Sequence, residues 1–242
     1  MSVLRSALLS AVTAGLIAGA VTAAFHEVLT EPVIDRAIAA EEARAAAQPG
    51  HTHEEPLVSR RGQKIGLVVG LLLYGAIWGM LVGLGVHLTR GWAPADWSLG
   101  RRGLVLAGLV GWSVALFPFL KYPANPPGVG EPETIGYRQT LYLGFIVLAV
   151  LGLGLALALG RARAASRGAR AWIAPAVFYA AWALGIYVLM PANPDPVEMS
   201  ATILGPFRQR ALTGLVIFWA ALGLAFAWLA RERAPVRRRA VA

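Results

Sequence analysis

Residues 117–139 read FPFLKYPANPPGVGEPETIGYRQ, and residues 190–209 repeat the pattern more loosely as MPANPDPVEMSATILGPFRQ. In the first copy Pro123-Ala124-Asn125-Pro126 leads to Ile135-Gly136-Tyr137-Arg138-Gln139. In the second Pro191-Ala192-Asn193-Pro194 leads to Leu204-Gly205-Pro206-Phe207-Arg208-Gln209. The distance from the first proline to the arginine is 15 residues in one copy and 17 in the other. Each copy lies between two long apolar runs, so the repeated unit is apolar span, Pro-rich polar loop, Arg-Gln and apolar span. That unit is a helical hairpin with its loop at a membrane surface.

Working outward from the two loops, mainly apolar runs long enough for a helix to cross a bilayer fall at about 6–28, 65–88, 103–120, 140–160, 171–190 and 211–230. Their unbroken character excludes a barrel of alternating ten-residue strands. Hydrophobic residues make up 57% of the chain and charged residues 14%, with a mean hydropathy of +0.60, too little charge to coat a soluble globule. The expected fold is therefore an all-α integral membrane protein, a single transmembrane domain of six helices arranged as two or three repeated hairpins. The third copy is faint: Glu55-Pro56 with Arg61 and Gln63 parallels Glu131-Pro132 with Arg138 and Gln139.

The net charge of +9 does not indicate a nucleic-acid partner, because its distribution follows the spans. Of 22 Lys and Arg, 13 fall on one side, in the tails and in the connectors around Arg101 and Arg163, which the positive-inside rule assigns to the cytoplasm with both termini. The loops 29–64, 121–139 and 191–210 then face outward with ten of the 13 acidic residues, and Glu27 at the edge of the first span makes eleven. That first span shares features with a signal peptide, including a small-residue site at Val21-Thr22-Ala23. Its apolar run is long for a cleaved leader, and only its retention leaves every basic cluster on one side.

Cysteine is absent, so a metal ion would be held by oxygen and imidazole. Three places offer such ligands. A helix leaving the first span carries His26, Glu27, Glu31 and Asp35, and residues one turn apart share a face. The loop segment His51-Thr52-His53-Glu54-Glu55 adds two imidazoles on an Ala-, Gly- and Pro-rich stretch, a weak signal that a solvated loop explains as well. The repeated loops supply Asn125, Glu131, Glu133, Asn193, Asp195 and Glu198, together with backbone carbonyls that the prolines release from helical bonding. Such broken segments at membrane depth line wet cavities in transporters, and also serve simply to set helix angles. Lys121, Arg138 and Arg208 are expected as structural or gating charges, with Arg138 paired to Glu131 or Glu133. The glycines of the first two spans, Gly15 and Gly19 in the first and Gly66, Gly70, Gly75, Gly79, Gly83 and Gly85 in the second, read as packing positions. No GxxxxGK[ST] motif, His-Glu-x-x-His helix or Ser-His-Asp set is present, which argues against ATP hydrolysis by a P-loop and against an enzyme.

With those residues in view, the chain resembles the cobalt transporter subunit CbtA family over nearly its whole length. The resemblance rests on EPVIDRAIAAEEA from Glu31, EEPLVSR from Glu54 and KYPANPPGVGEPETIGYR from Lys121. It implies a multi-pass subunit of the bacterial cytoplasmic (inner) membrane that takes up cobalt for cobalamin-related supply. It also implies a small single-span partner, CbtB, bearing a His-rich tail. Cobalt would be the substrate, with no cofactor permanently bound; self-association into a homo-oligomer is left open. The alternatives are a non-conducting scaffold subunit and a metal-dependent membrane enzyme.

Overall fold

In the computed structural model, residues 2–46, 58–89, 96–127 and 129–232 are described. His51, His53, Glu54, Glu55 and Pro56 lie outside them. Among the described residues the structure is helical with no strand, and six helices are long and apolar enough to cross a membrane, as expected for an all-α membrane protein. The α-helices in chain order are α1 (Ser2–Phe25), α2 (Glu31–Ala46), α3 (Arg60–Leu88), α4 (Leu99–Gly111), α5 (Phe117–Lys121), α6 (Ile135–Arg167), α7 (Ile173–Leu189) and α8 (Ala201–Glu232); α1 with α2, and α4 with α5, each run on as one membrane-length helix. The two Pro-rich loops join α5 to α6 and α7 to α8. The chain divides into two compact units, one of Met1–Phe25, Leu57–Leu109 and Val216–Ala242, the other of His26–Pro56 and Val110–Leu215.

In the first unit α1 and α3 approach to backbone contact. A Cβ added at Gly15 would collide with the carbonyl of Gly75, one at Gly75 with the carbonyl of Gly15, one at Gly19 with Leu71 and one at Gly79 with Ala11. The partners on α3 descend as α1 ascends, so the two helices run antiparallel. Lipid gives no hydrophobic drive for two apolar helices to associate, so small residues that maximise dispersion contact hold such a pair. Ala11, Ala14 and Ala18 complete the stripe at 0% exposure. The same logic recurs between α4 and the second half of α8, where Gly103 makes room for the ring of Phe226 and Gly100 for Ala227. Rings close the unit, with Trp78 on Trp219 and Tyr74 on Phe218, both at 4.9 Å between centroids.

The second unit has a core of Phe117, Phe145, Ala149 and Ile186, flanked by Trp112, Tyr122 and Trp182. Two half-buried indoles are satisfied: Trp112 donates to the Tyr179 hydroxyl (2.6 Å) and Trp182 to the Leu148 carbonyl (2.9 Å). A Cβ at Gly152 would strike the Trp182 ring, so that glycine shapes the socket. Two turns of π-helix interrupt the helices of this unit, at His26–Thr30 and Trp112–Leu116. Each ends two residues before a proline, Pro32 and Pro118. A proline lacks the N–H that would bond four residues back, and its ring crowds that carbonyl. A widened turn relieves both conflicts without ending the helix.

Candidate functional site

The second unit holds both Pro-rich loops and α2, and with them nine of the eleven acidic residues among the described positions. Its loops are cross-linked reciprocally, each copy's arginine reaching the other copy. Arg138 of the first copy lies with Nε 3.1 Å from Asp195 Oδ2 of the second, an ion pair rather than a directed hydrogen bond. Arg208 of the second copy donates to Asn125 Oδ1 of the first at 2.8 Å. The expected pairing of Arg138 with Glu131 or Glu133 is therefore corrected: its carboxylate partner is Asp195, and it meets Glu131 only at the backbone carbonyl, 3.1 Å away. The cross-copy carboxylate wins because it is buried and already oriented by other donors.

Asp195 is 8% exposed, and its Oδ2 also accepts from the Glu131 N–H (2.9 Å) and the Thr134 hydroxyl (2.8 Å). One oxygen thus pins three groups of the other loop. Gly130 completes the joint: its φ is +101°, and an added Cβ would run into the Arg138 guanidinium. Only glycine suits that backbone and that space. Tyr122 donates to the Pro191 carbonyl at 2.7 Å, a further tie between the copies. Burial, and then the nearby Tyr137, raise the Tyr122 pKa above its ordinary value, so the phenol stays a donor at neutral pH. Lys121 donates to the Tyr187 carbonyl (2.8 Å) with its ammonium over the Tyr187 ring.

A pocket of about 620 Å³ lies beside this joint, lined by Asn125, Asn193, Arg138, Gln139, Tyr122 and Tyr142 among others. The two repeated asparagines thus converge on one cavity. Each side-chain oxygen already has an internal donor, Arg208 for Asn125 and the Asp195 N–H (3.2 Å) for Asn193. The remaining acids are dispersed. Glu131, Glu133, Glu198 and Asp35 are exposed, whereas Glu31 is 3% exposed. Arg44 of α2 donates to the Glu198 carbonyl at 2.7 Å and ties that helix to the second loop.

In the π-helical turn His26 bonds Thr30 Oγ1 through Nδ1 at 2.8 Å, and its ring fills the space that the missing side chain of Gly214 leaves. Glu27 is half-buried, and its Oε1 has no hydrogen-bond partner among the described residues. No three His, Asp or Glu side chains among the described residues gather closely enough to hold a metal ion. The structure therefore brings together Asn125, Asn193, Asp195, Arg138 and Arg208, and leaves His26, Glu27, Glu31 and Asp35 along a separate stretch of the same unit. Sequence reasoning did not single out Gly130, Thr134, Tyr122 or Arg44. A glycine closing a Pro-rich loop is a signal for a left-handed turn, whereas the other three act through partners far away in sequence.

Residues 4–231 match a family described as "Probable cobalt transporter subunit (CbtA)". No curated protein and no solved structure matches the chain. A match over nearly the full length, on a multi-pass helical membrane protein, establishes that the chain belongs to the CbtA family of probable cobalt transporter subunits.

Proposed function

We propose that the chain is the membrane-embedded subunit of a cobalt uptake system in the bacterial inner membrane, with both termini cytoplasmic and a small single-span CbtB-like subunit as its partner. The observation that carries this reading is that exposed carboxylates of the loops are unpaired among the described residues, although residues 121–139 and 191–210 carry four Lys and Arg against four Asp and Glu. The loop cations are held internally, Arg138 by Asp195, Lys121 by a carbonyl and an aromatic ring, and Arg44 by carbonyls of Ala40 and Glu198. Exposed Glu131, Glu133 and Glu198 form no ion pair among the described residues. Carboxylates without counter-charges on one surface concentrate divalent cations from solution.

The divalent ion then needs ligands at which to lose part of its water. Glu27, with a buried oxygen lacking a partner, and the adjacent His26 supply the oxygen and nitrogen donors that a borderline cation such as cobalt accepts. His51 and His53 belong to the same capture step. Asp195, Arg138 and Arg208 hold the loops together and act as structural charges. Radioactive cobalt accumulation in cells tests the assignment. At low ionic strength the triple variant Glu131→Gln, Glu133→Gln, Glu198→Gln is expected to slow initial uptake roughly tenfold. Unchanged uptake, with the variant present in the membrane at the wild-type level, would refute it.

A further inference from the structure

The pocket beside the loop joint has the wrong chemistry for a naked cation. Among the described residues its polar lining consists of two asparagines, a glutamine, two tyrosines and an arginine, with no carboxylate. The direction in which the asparagines present themselves is fixed by their partners. A guanidinium and a backbone N–H are donors only, so Asn125 and Asn193 must turn Oδ1 toward them and leave their NH2 groups as the remaining polar ends. Tyr122 donates its hydroxyl to the Pro191 carbonyl. The cavity is therefore left with the two asparagine NH2 groups and the Arg138 guanidinium as donors, beside the Gln139 amide and the Tyr142 hydroxyl, which can donate or accept. Donors of this kind converge on oxygen acceptors that carry negative charge.

Size points the same way. The cavity measures about 620 Å³. Six waters around a divalent ion occupy about 180 Å³ at their liquid volume, whereas cavities of roughly 300–1,000 Å³ hold small organic ligands. We propose that this pocket binds a small polycarboxylate anion, which carries the cobalt ion to the protein as a chelate. The proposal rests on the cobalt-uptake reading and specifies the form of the substrate. Exposed glutamates would then act on ions released from the carrier, and the amide- and guanidinium-lined loop pocket on the carrier itself.

Titration calorimetry on the purified full chain in detergent tests this, with citrate, cobalt citrate and cobalt alone as probes. Asn125→Asp with Asn193→Asp keeps both oxygens that accept from Arg208 and from the Asp195 N–H, and replaces both NH2 groups with negative oxygen. The wild type is expected to bind citrate and cobalt citrate, and the double variant to bind both on the order of 100-fold more weakly, the loss of two hydrogen bonds to charged groups. Gln139→Glu, at an exposed position of the lining, provides an independent variant that should weaken citrate about tenfold by like-charge repulsion. No citrate binding to the wild type, or equal binding to wild type and both variants, would overturn the proposal. So would displacement of citrate by anionic phospholipid in nanodiscs, which would make a lipid headgroup the occupant. A chain that drives cobalt accumulation but binds no citrate would overturn the carrier role and leave the uptake reading standing. Citrate binding without any cobalt accumulation would overturn the uptake reading and with it the carrier role.

Discussion

Replacing Asp195 tests the joint between the repeated loops. Its carboxylate side chain is 2% exposed, Arg138 beside it is 25% exposed, and Oδ2 also takes the Glu131 N–H and the Thr134 hydroxyl. Asp195→Ala leaves the Glu131 amide without an acceptor and Arg138 without its carboxylate, while Thr134 and Arg138 keep the Glu131 carbonyl, and removing one member of a buried pair costs about 3–5 kcal/mol. The partial exposure of Arg138 places the expected loss near the lower end, about 3 kcal/mol. Asp195→Asn keeps one acceptor but removes the charge, which should cost about 2 kcal/mol as charge-assisted bonds become neutral ones. Unfolding by titration of a denaturing detergent, followed by tryptophan fluorescence, measures both. A double-mutant cycle with Thr134→Val should show coupling of about 1 kcal/mol. If Asp195→Ala changes stability by less than about 0.5 kcal/mol, or the cycle is additive, the carboxylate is not the fastening described here.

The glycine contacts predict contrasting outcomes along one helix. Gly75→Val drives a side chain into the Gly15 carbonyl and should prevent α1 and α3 from packing, seen as loss of the folded form in detergent. Gly66→Ala and Gly70→Ala meet nothing within 4 Å and should be neutral or stabilise by up to about 1 kcal/mol through helix propensity. Equal behaviour of the two classes in a thermal-shift assay would contradict the packing account. Gly130→Ala combines a left-handed backbone with a collision against Arg138 and should cost at least about 1–2 kcal/mol. It should add little to Asp195→Ala, since both break the same joint; full additivity in the same titration would separate them.

The membrane fold and the identity of the repeated loops were legible in the sequence because both are written in local patterns. Apolar runs have the length of a bilayer, and Pro-Ala-Asn-Pro followed by Arg-Gln recurs at matching distances. The packing role of Gly15 and Gly75 was legible for the same reason, since small residues at spacings of four mark one helix face; the same expectation for Gly66 and Gly70 is corrected, because an added Cβ at either meets nothing within 4 Å among the described residues. The partners of Arg138 and Asn125 were not. Glu131 and Glu133 are near Arg138 in the chain, but its partner Asp195 is 57 residues away, and only the folded arrangement orients that carboxylate. The direction of Asn125 likewise depends on Arg208, 83 residues on, and it changes the side chain from a carbonyl ligand into an amide donor. The π-helical turns before Pro32 and Pro118 were not legible, since a proline crowding the preceding turn can bend, end or widen a helix and only the folded chain selects among these.

The most direct test of the account is cobalt flux into liposomes containing the purified chain and its single-span partner, with radioactive cobalt supplied outside. The account predicts accumulation above that of empty liposomes, reduced when Glu131, Glu133 and Glu198 are changed together to glutamine. Folded protein that admits no more cobalt than lipid alone would contradict it and assign the chain a scaffold's role.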